Sequence, residues 1–303
     1  MALNVNSLIL IMIIGLLLNP NASLAESEFR ERTPERKAQY DRILDTIYNL
    51  YAPIIEEKGK TFKILRYEWP YNSLHVRMRR GYNGENGDTW HVIPPGGIFL
   101  HNQMNNDAFT LITCHEVGHH IGGVPEKRSY PTGTFYWSTN EGQADYFAAS
   151  KCFRRFAEVT GGNNKFLQDE NYPQLDKRSL EKCRASFSHP ELQAICLRTI
   201  RAGVVLSKFM ADFNDMSTDT VNPHTPDPTI VDRTYDQHPD PQCRMDTFIS
   251  GALCSKDHWT EMGYQSTADG ACTRKEGYER GSRPLCWFNP SSRYLPYEPE
   301  ENE

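Results

Sequence analysis

The chain has 303 residues, enough to bury a sizeable core, and its 15 Tyr, 14 Phe and 5 Trp argue against long disordered regions. Its 33 basic and 39 acidic side chains give a formal net charge of −6. That balance offers no basic surface for nucleic acid or for an anionic membrane.

Residues 1–25 carry no charged side chain, and Leu8–Leu18 is an unbroken apolar run. Asn19, Pro20 and Asn21 end the run, and Ser23-Leu24-Ala25 supplies the small residues of a cleavage site, so 1–25 reads as a signal peptide. The run is shorter than the roughly 20 apolar residues of a bilayer span; an uncleaved N-terminal anchor is the alternative reading, because no Lys or Arg precedes the run. No other segment is apolar for that length, so no stable transmembrane span is expected after cleavage. All eight cysteines lie downstream of the apolar run. An even count behind an export signal points to disulfides in an oxidising compartment, periplasmic or extracellular, with connectivity left open. An intracellular protein with a misread N-terminus would instead keep free thiols.

Thr33-Pro34 forms a helix start, and Tyr40, Ile43, Leu44, Ile47, Leu50 and Tyr51 recur at helical spacing to about Glu57. Phe62–Leu65 and Leu74–Met78 alternate as strands do, Gly81–Asp88 reads as a turn, and Gly97–Leu100 as a further short strand. Two helices follow, one from about Asp107 to the glycine stop Gly122-Gly123, the other from Thr139-Asn140 to Val159. Further helices are expected over 178–187 and 190–213, then an irregular Asp-, Thr- and Pro-rich connection over 214–240, then a short helix over Pro241–Leu253. The chain divides into a core at 26–213, a connection at 214–253, and a cysteine-rich, loop-rich part at 254–303 with an acidic tail, Glu298–Glu303. The expected fold class is α+β.

The first of the paired helices contains His115-Glu116-Val117-Gly118-His119. Positions i and i+4 share a helix face, so both imidazoles can reach one metal ion, with Glu116 beside it as a proton acceptor. This is the HExxH pattern of zinc hydrolases, and catalytic zinc takes three protein ligands and a water. A third histidine in the extended motif would fall at position 125, which is Pro125. Glu141, 26 residues after His115, is the other candidate, with Asp145 one turn later placed to accept the second ring N–H of a ligating histidine. The plainer reading of Glu141 is an acidic residue in a helix's first turn, favoured by the dipole.

Thr113–His120 (TCHEVGHH), Asn140–Asp145 (NEGQAD) and His238-Pro239 with Arg244 six residues after the histidine together resemble the gluzincin metallopeptidases, most closely the HtpX-like and CAAX-protease-like branch. The resemblance covers mainly 90–150 and 236–250. It implies a gluzincin-type domain, zinc held by His115, His119 and Glu141, Glu116 as general base, Asp145 as the orienting carboxylate, and a protein or peptide substrate. It also implies that His238 lies close to the metal, as an oxyanion donor or as a ligand that holds the site inactive, and that Arg244 organises the site. Gly97–Leu100 would be the sheet edge that binds an extended peptide. The membrane helices of many relatives are absent, and the cysteine-rich C-terminus is outside the family pattern. If His238 closed the metal site, the chain would instead be a non-catalytic exported zinc-binding protein.

Among the remaining candidates, His120 points about 100° away from the ligand face. Cys114 is read as a disulfide partner or buried thiol, and Cys152 as bridging to Cys183 or Cys196. Tyr136, Tyr146 and Tyr235 are possible oxyanion donors, each more often a packed aromatic.

Overall fold

The computed structural model describes residues 28–81, 89–128, 135–168 and 177–292; the signal segment, the 82–88 turn and the acidic tail lie outside the described residues. The architecture is mixed, with helices packed around two small sheets.

Helix α1, Pro34–Glu56, begins as the sequence indicates: the Thr33 side chain accepts from Arg36 N, and proline sits in the first turn. Its buried stripe, including Tyr40, Leu44, Ile47 and Tyr51, forms one wall of the main core. The first sheet has the order β1-β3-β2, with β1 at Thr61–Ile64, β2 at Arg77–Gly81 and β3 at Thr89–Ile93. Strand β3 runs parallel to β1 and antiparallel to β2, in a register pairing Arg77 with Ile93 and Gly81 with Thr89.

Two strand expectations need correction. Strand β2 starts at Arg77, so residues 74–76 are not paired; Ser73 O instead accepts from Ile98 N. Gly97–Leu100 is not a strand but most of a short buried helix, α2, Gly96–Leu100. A Cβ on Gly96 would stand 2.1 Å from Trp69 O, and one on Gly97 2.4 Å from the Asn72 carbonyl carbon. The two glycines let the chain coil against the 69–73 loop and bury Ile98, Phe99 and Leu100. The sheet edges are therefore β1 and β2.

Helix α3, Asn106–Ile121, is capped by the Asn105 side chain on Ala108 N and is buried continuously from Ala108. A helix that is buried all round needs no amphipathic stripe. A hairpin follows, β4 at Glu126–Arg128 and β5 at Phe135–Thr139, whose tip lies outside the described residues. Helix α4, Glu141–Phe147, runs through a π turn at Ala148–Cys152 into α5, Phe153–Thr160, with no break in the coil. Helices α6 (Lys165–Gln168), α7 (Lys177–Ser186), α8 (Pro190–Phe213) and α9 (Pro241–Leu253) complete the set of described α-helices. None of the described helices is long and apolar enough to cross a membrane.

All eight cysteines are paired: Cys114–Cys152, Cys183–Cys196, Cys243–Cys286 and Cys254–Cys272. Cys152 thus bridges to Cys114 and not to either expected partner. The π turn carries Cys152 back over α3, where Cys114 faces away from the His115–His119 side. Closing that 38-residue separation stabilises the fold by on the order of 3–4 kcal/mol in the chain-entropy account. The bridge also ties α3 to the helix that follows it.

The two C-terminal bridges return residues 254–286 to α9, and Trp287 packs on the first turn of α4. A Cβ on Gly142 would stand 2.2 Å from Trp287 Cδ2, within the ring's own volume. Gly142→Ala is expected to cost about 1–3 kcal/mol as overpacking. The measurement is a urea midpoint shift at unchanged m-value; an unshifted midpoint would mean that Trp287 does not rest there.

Candidate metal centre

The centre is built where α3 and α4 cross. A Cβ on Gly118 would meet Ala144 O at 3.0 Å and the Phe147 ring at 3.0 Å, so the glycine inside HEVGH lets α4 lie directly against α3. Asn140 caps α4 by accepting from Gln143 N, and Gln143 Nε2 donates to Gly122 O at 2.7 Å, which ties the start of one helix to the end of the other. Arg283 from the C-terminal loops donates to Gln143 Oε1 at 2.5 Å and holds that side chain in place.

This crossing brings His115, His119 and Glu141 together. One ligand atom from each lies within 4.8 Å of the others, and all three residues are buried. Glu141 Oε2 is 3.3 Å from His115 Nε2 and 3.4 Å from His119 Nε2. The opposite ring nitrogens are fixed from behind: His115 Nδ1 to Asp145 Oδ1 at 2.7 Å, and His119 Nδ1 to Thr139 O at 2.8 Å. Both imidazoles therefore present Nε2 to the same space.

Asp145 is fully buried and is gripped by Arg244 of α9, Nε to Oδ2 at 2.8 Å and Nη2 to Oδ1 at 2.7 Å. Gly251 allows α9 this close, since a Cβ there would stand 2.8 Å from Ala149 Cβ. Arg244 thus acts on the site through Asp145 and His115; it is a positioning residue behind the histidine. Burial alone would raise the Asp145 carboxyl, but Arg244 and His115 hold it below the usual range. Burial would lower the His115 imidazole, yet Asp145 raises it to about 9. The Nε2 that would carry that proton is the nitrogen a metal would take.

His238 reaches the cluster from the partly exposed 234–240 loop. Its Nε2 is 3.2 Å from Glu141 Oε2 while its side chain remains 65% exposed. It does not belong to the mutually close group of three, so it stands at the mouth of the centre. Glu116 is 8% exposed, and burial pushes its carboxyl up while His115 and His119 pull it down less strongly. His120 is neither a ligand nor a surface residue: it stacks on Trp90 at 5.0 Å and bonds His91 O, and burial lowers its imidazole to about 3. Tyr146 is packed, its hydroxyl donating to Gly281 O and accepting from Cys272 N. Tyr235 is exposed and three residues from His238, whereas the Tyr136 side chain lies outside the described residues.

One neighbour, Lys127, had no sequence signal, and Asn140 adds loop contacts to its place at the helix start. Lys127 of β4 donates to Glu141 Oε1 at 2.8 Å, and Asn140 Nδ2 reaches Tyr235 O and Asp236 Oδ1, anchoring the loop that carries His238. A lysine two residues after a cis Val124–Pro125 bond, in a three-residue strand, follows no periodic pattern.

The donor set fits a divalent metal. Glu141 Oε2 is buried and makes no hydrogen bond in spite of the imidazoles around it, so these atoms converge on a common space without bonding one another. Two imidazoles and one carboxylate are the ligand set of an open zinc site. Three buried carboxylates, Glu116, Glu141 and Asp145, stand with Arg244, Lys127 and the raised His115 imidazole, so a bound cation would take the place of the His115 proton. The other close group among the described residues, Asp227, Cys243 and Cys286, has both sulfurs in one disulfide and offers no thiolate.

Because Asp145 and Arg244 orient His115, Asp145→Asn and Arg244→Met are each expected to weaken any divalent-metal binding here about 10–100-fold by chelator competition. Wild-type affinity in both variants would show that His115 is held without them. Comparison with protein-family models, with curated proteins and with solved structures finds no match to this chain.

Proposed function

We propose that this chain is an exported zinc-dependent endopeptidase of gluzincin type. The observation that carries the reading is the convergence of His115, His119 and Glu141 on one space, with Glu116 beside His115 on the same helix. The four disulfides and the apolar, charge-free leader support export to the periplasm or beyond.

Zinc in such a site would supply Lewis acidity, lowering the pKa of water and polarising a carbonyl. The chain's own residues supply the rest. Glu116 accepts a proton at its carboxylate and delivers it to the leaving amine; a carboxyl raised by burial is closer to the pKa such a shuttle needs. Asp145 and Arg244 keep His115 in one tautomer and orientation, and Thr139 O does the same for His119. His238, exposed at the mouth, can donate Nε2–H to an oxyanion forming on the scissile carbonyl. The centre is buried, and exposed His238 marks the side from which a protein or peptide substrate would approach it.

The second reading, a non-catalytic zinc-binding protein, draws on the 3.2 Å approach of His238 to Glu141. A permanently bound His238 would fill the open position.

A casein or peptide-library assay on the mature protein separates the two. Chelator should abolish cleavage by the wild type, and Glu116→Gln should lower it by at least about 10²-fold while leaving zinc binding intact. Equal cleavage by wild type and Glu116→Gln sinks the catalytic reading. His238→Ala is expected to lower kcat with zinc stoichiometry unchanged; activity gained in that variant would mark the site as closed by His238.

A further inference from the structure

We infer that Lys127 is a positioning residue that selects which oxygen of Glu141 faces the metal. The inference rests on the zinc-site reading above and adds a residue outside the ligand motifs. Glu141 is 3% exposed, and its two oxygens have different surroundings. Oε1 accepts from Lys127 Nζ at 2.8 Å. Oε2 has no hydrogen bond and faces Nε2 of His115, His119 and His238 at 3.2–3.4 Å. Lys127 therefore occupies the oxygen that would otherwise be free to bind as a second donor.

The placement of Lys127 is specific. Thr139 Oγ1 donates to Gly123 O, and Asn140 N donates to Pro125 O. Those bonds fix the start of β4 against the residue preceding Glu141. The lysine side chain then runs beside the carboxylate with 26% of its surface exposed, so it reaches Glu141 from the solvent side. A carboxylate can bind a metal through one oxygen or two, and the second oxygen takes a coordination position that water or a substrate carbonyl would need. An ammonium on Oε1 keeps Glu141 to one oxygen and the site to three protein donors. Zinc affinity is the poorer reporter of this role: removing Lys127 loosens the carboxylate but also removes a cation that repels the metal.

Coordination number is the direct reporter, and cobalt(II) in place of zinc reads it, because visible absorption is strong for four-coordinate cobalt and weak for five-coordinate. The test compares cobalt-loaded wild type, Lys127→Met, Lys127→Gln and Lys127→Arg, with Glu141→Gln as the ligand control. Near-ultraviolet circular dichroism verifies the fold of each, and the three replacements differ in size and charge, so loss of fold in one leaves the others to read. Lys127→Met and Lys127→Gln are expected to bind one cobalt with the visible band reduced about twofold, and Lys127→Arg to restore it. An unchanged band in both neutral variants, with binding lost in Glu141→Gln, overturns the role of Lys127 and leaves the metal centre standing. A wild type that binds no cobalt or zinc overturns both.

Discussion

The structure depends on one buried carboxylate. Asp145 lies on α4 with no solvent contact, and its cost is met by two bonds from Arg244 and one from His115. Removing a partner from such a group would leave an uncompensated charge in a low-dielectric interior, at about 3–5 kcal/mol. The three side chains come from α3, α4 and α9, so the same bonds that satisfy the charge fix the three helices around the candidate centre. Stability and site geometry are one requirement here, because no arrangement of the helices that buries Asp145 without these partners is affordable.

Close helix approach is the second condition, and small residues provide it. Gly118 brings α3 onto Ala144, Gly251 brings α9 onto Ala149, and Gly142 receives Trp287. Each contact falls within one turn of a residue of the polar network or on the helix that carries it. The Cys114–Cys152 bridge locks the reverse side of α3, away from the metal face. HEVGH therefore serves two purposes: its polar residues face the centre, and its glycine sets the distance from which Glu141 can join them.

Much of this is written locally in the sequence, and the exceptions have physical causes. Helices with strong caps and periodic faces, such as Pro34–Glu56 and Pro190–Phe213, stand within two residues of where the pattern puts them. The pairing of His115, His119 and Glu141 was legible because i,i+4 geometry and a short return between helices are local facts. Gly97–Leu100 was misread because its conformation is set by contact with the 69–73 loop, which no alternation in four residues can encode. The Cys152 partner was missed because its pairing depends on the π turn and α3 meeting in the fold, which spacing along the chain does not give. Lys127 was invisible because its role arises from the β4–β5 hairpin meeting a helix start.

The C-terminal part, which composition sets apart as a cysteine-rich appendage, is joined to the centre by bonds of the same kind. Arg283 holds Gln143, whose amide holds Gly122 O; Trp287 covers Gly142 and donates to Thr247 Oγ1 on α9. Tyr235 N donates to Trp287 O, so the strand-like path leading to His238 is itself suspended from this region. Disulfides Cys243–Cys286 and Cys254–Cys272 fasten that region to α9, the helix of Arg244. Bonds between residues 281–288 and the helix bearing Glu141, together with the bond from Tyr235 N, make this region a brace for the loop that carries His238.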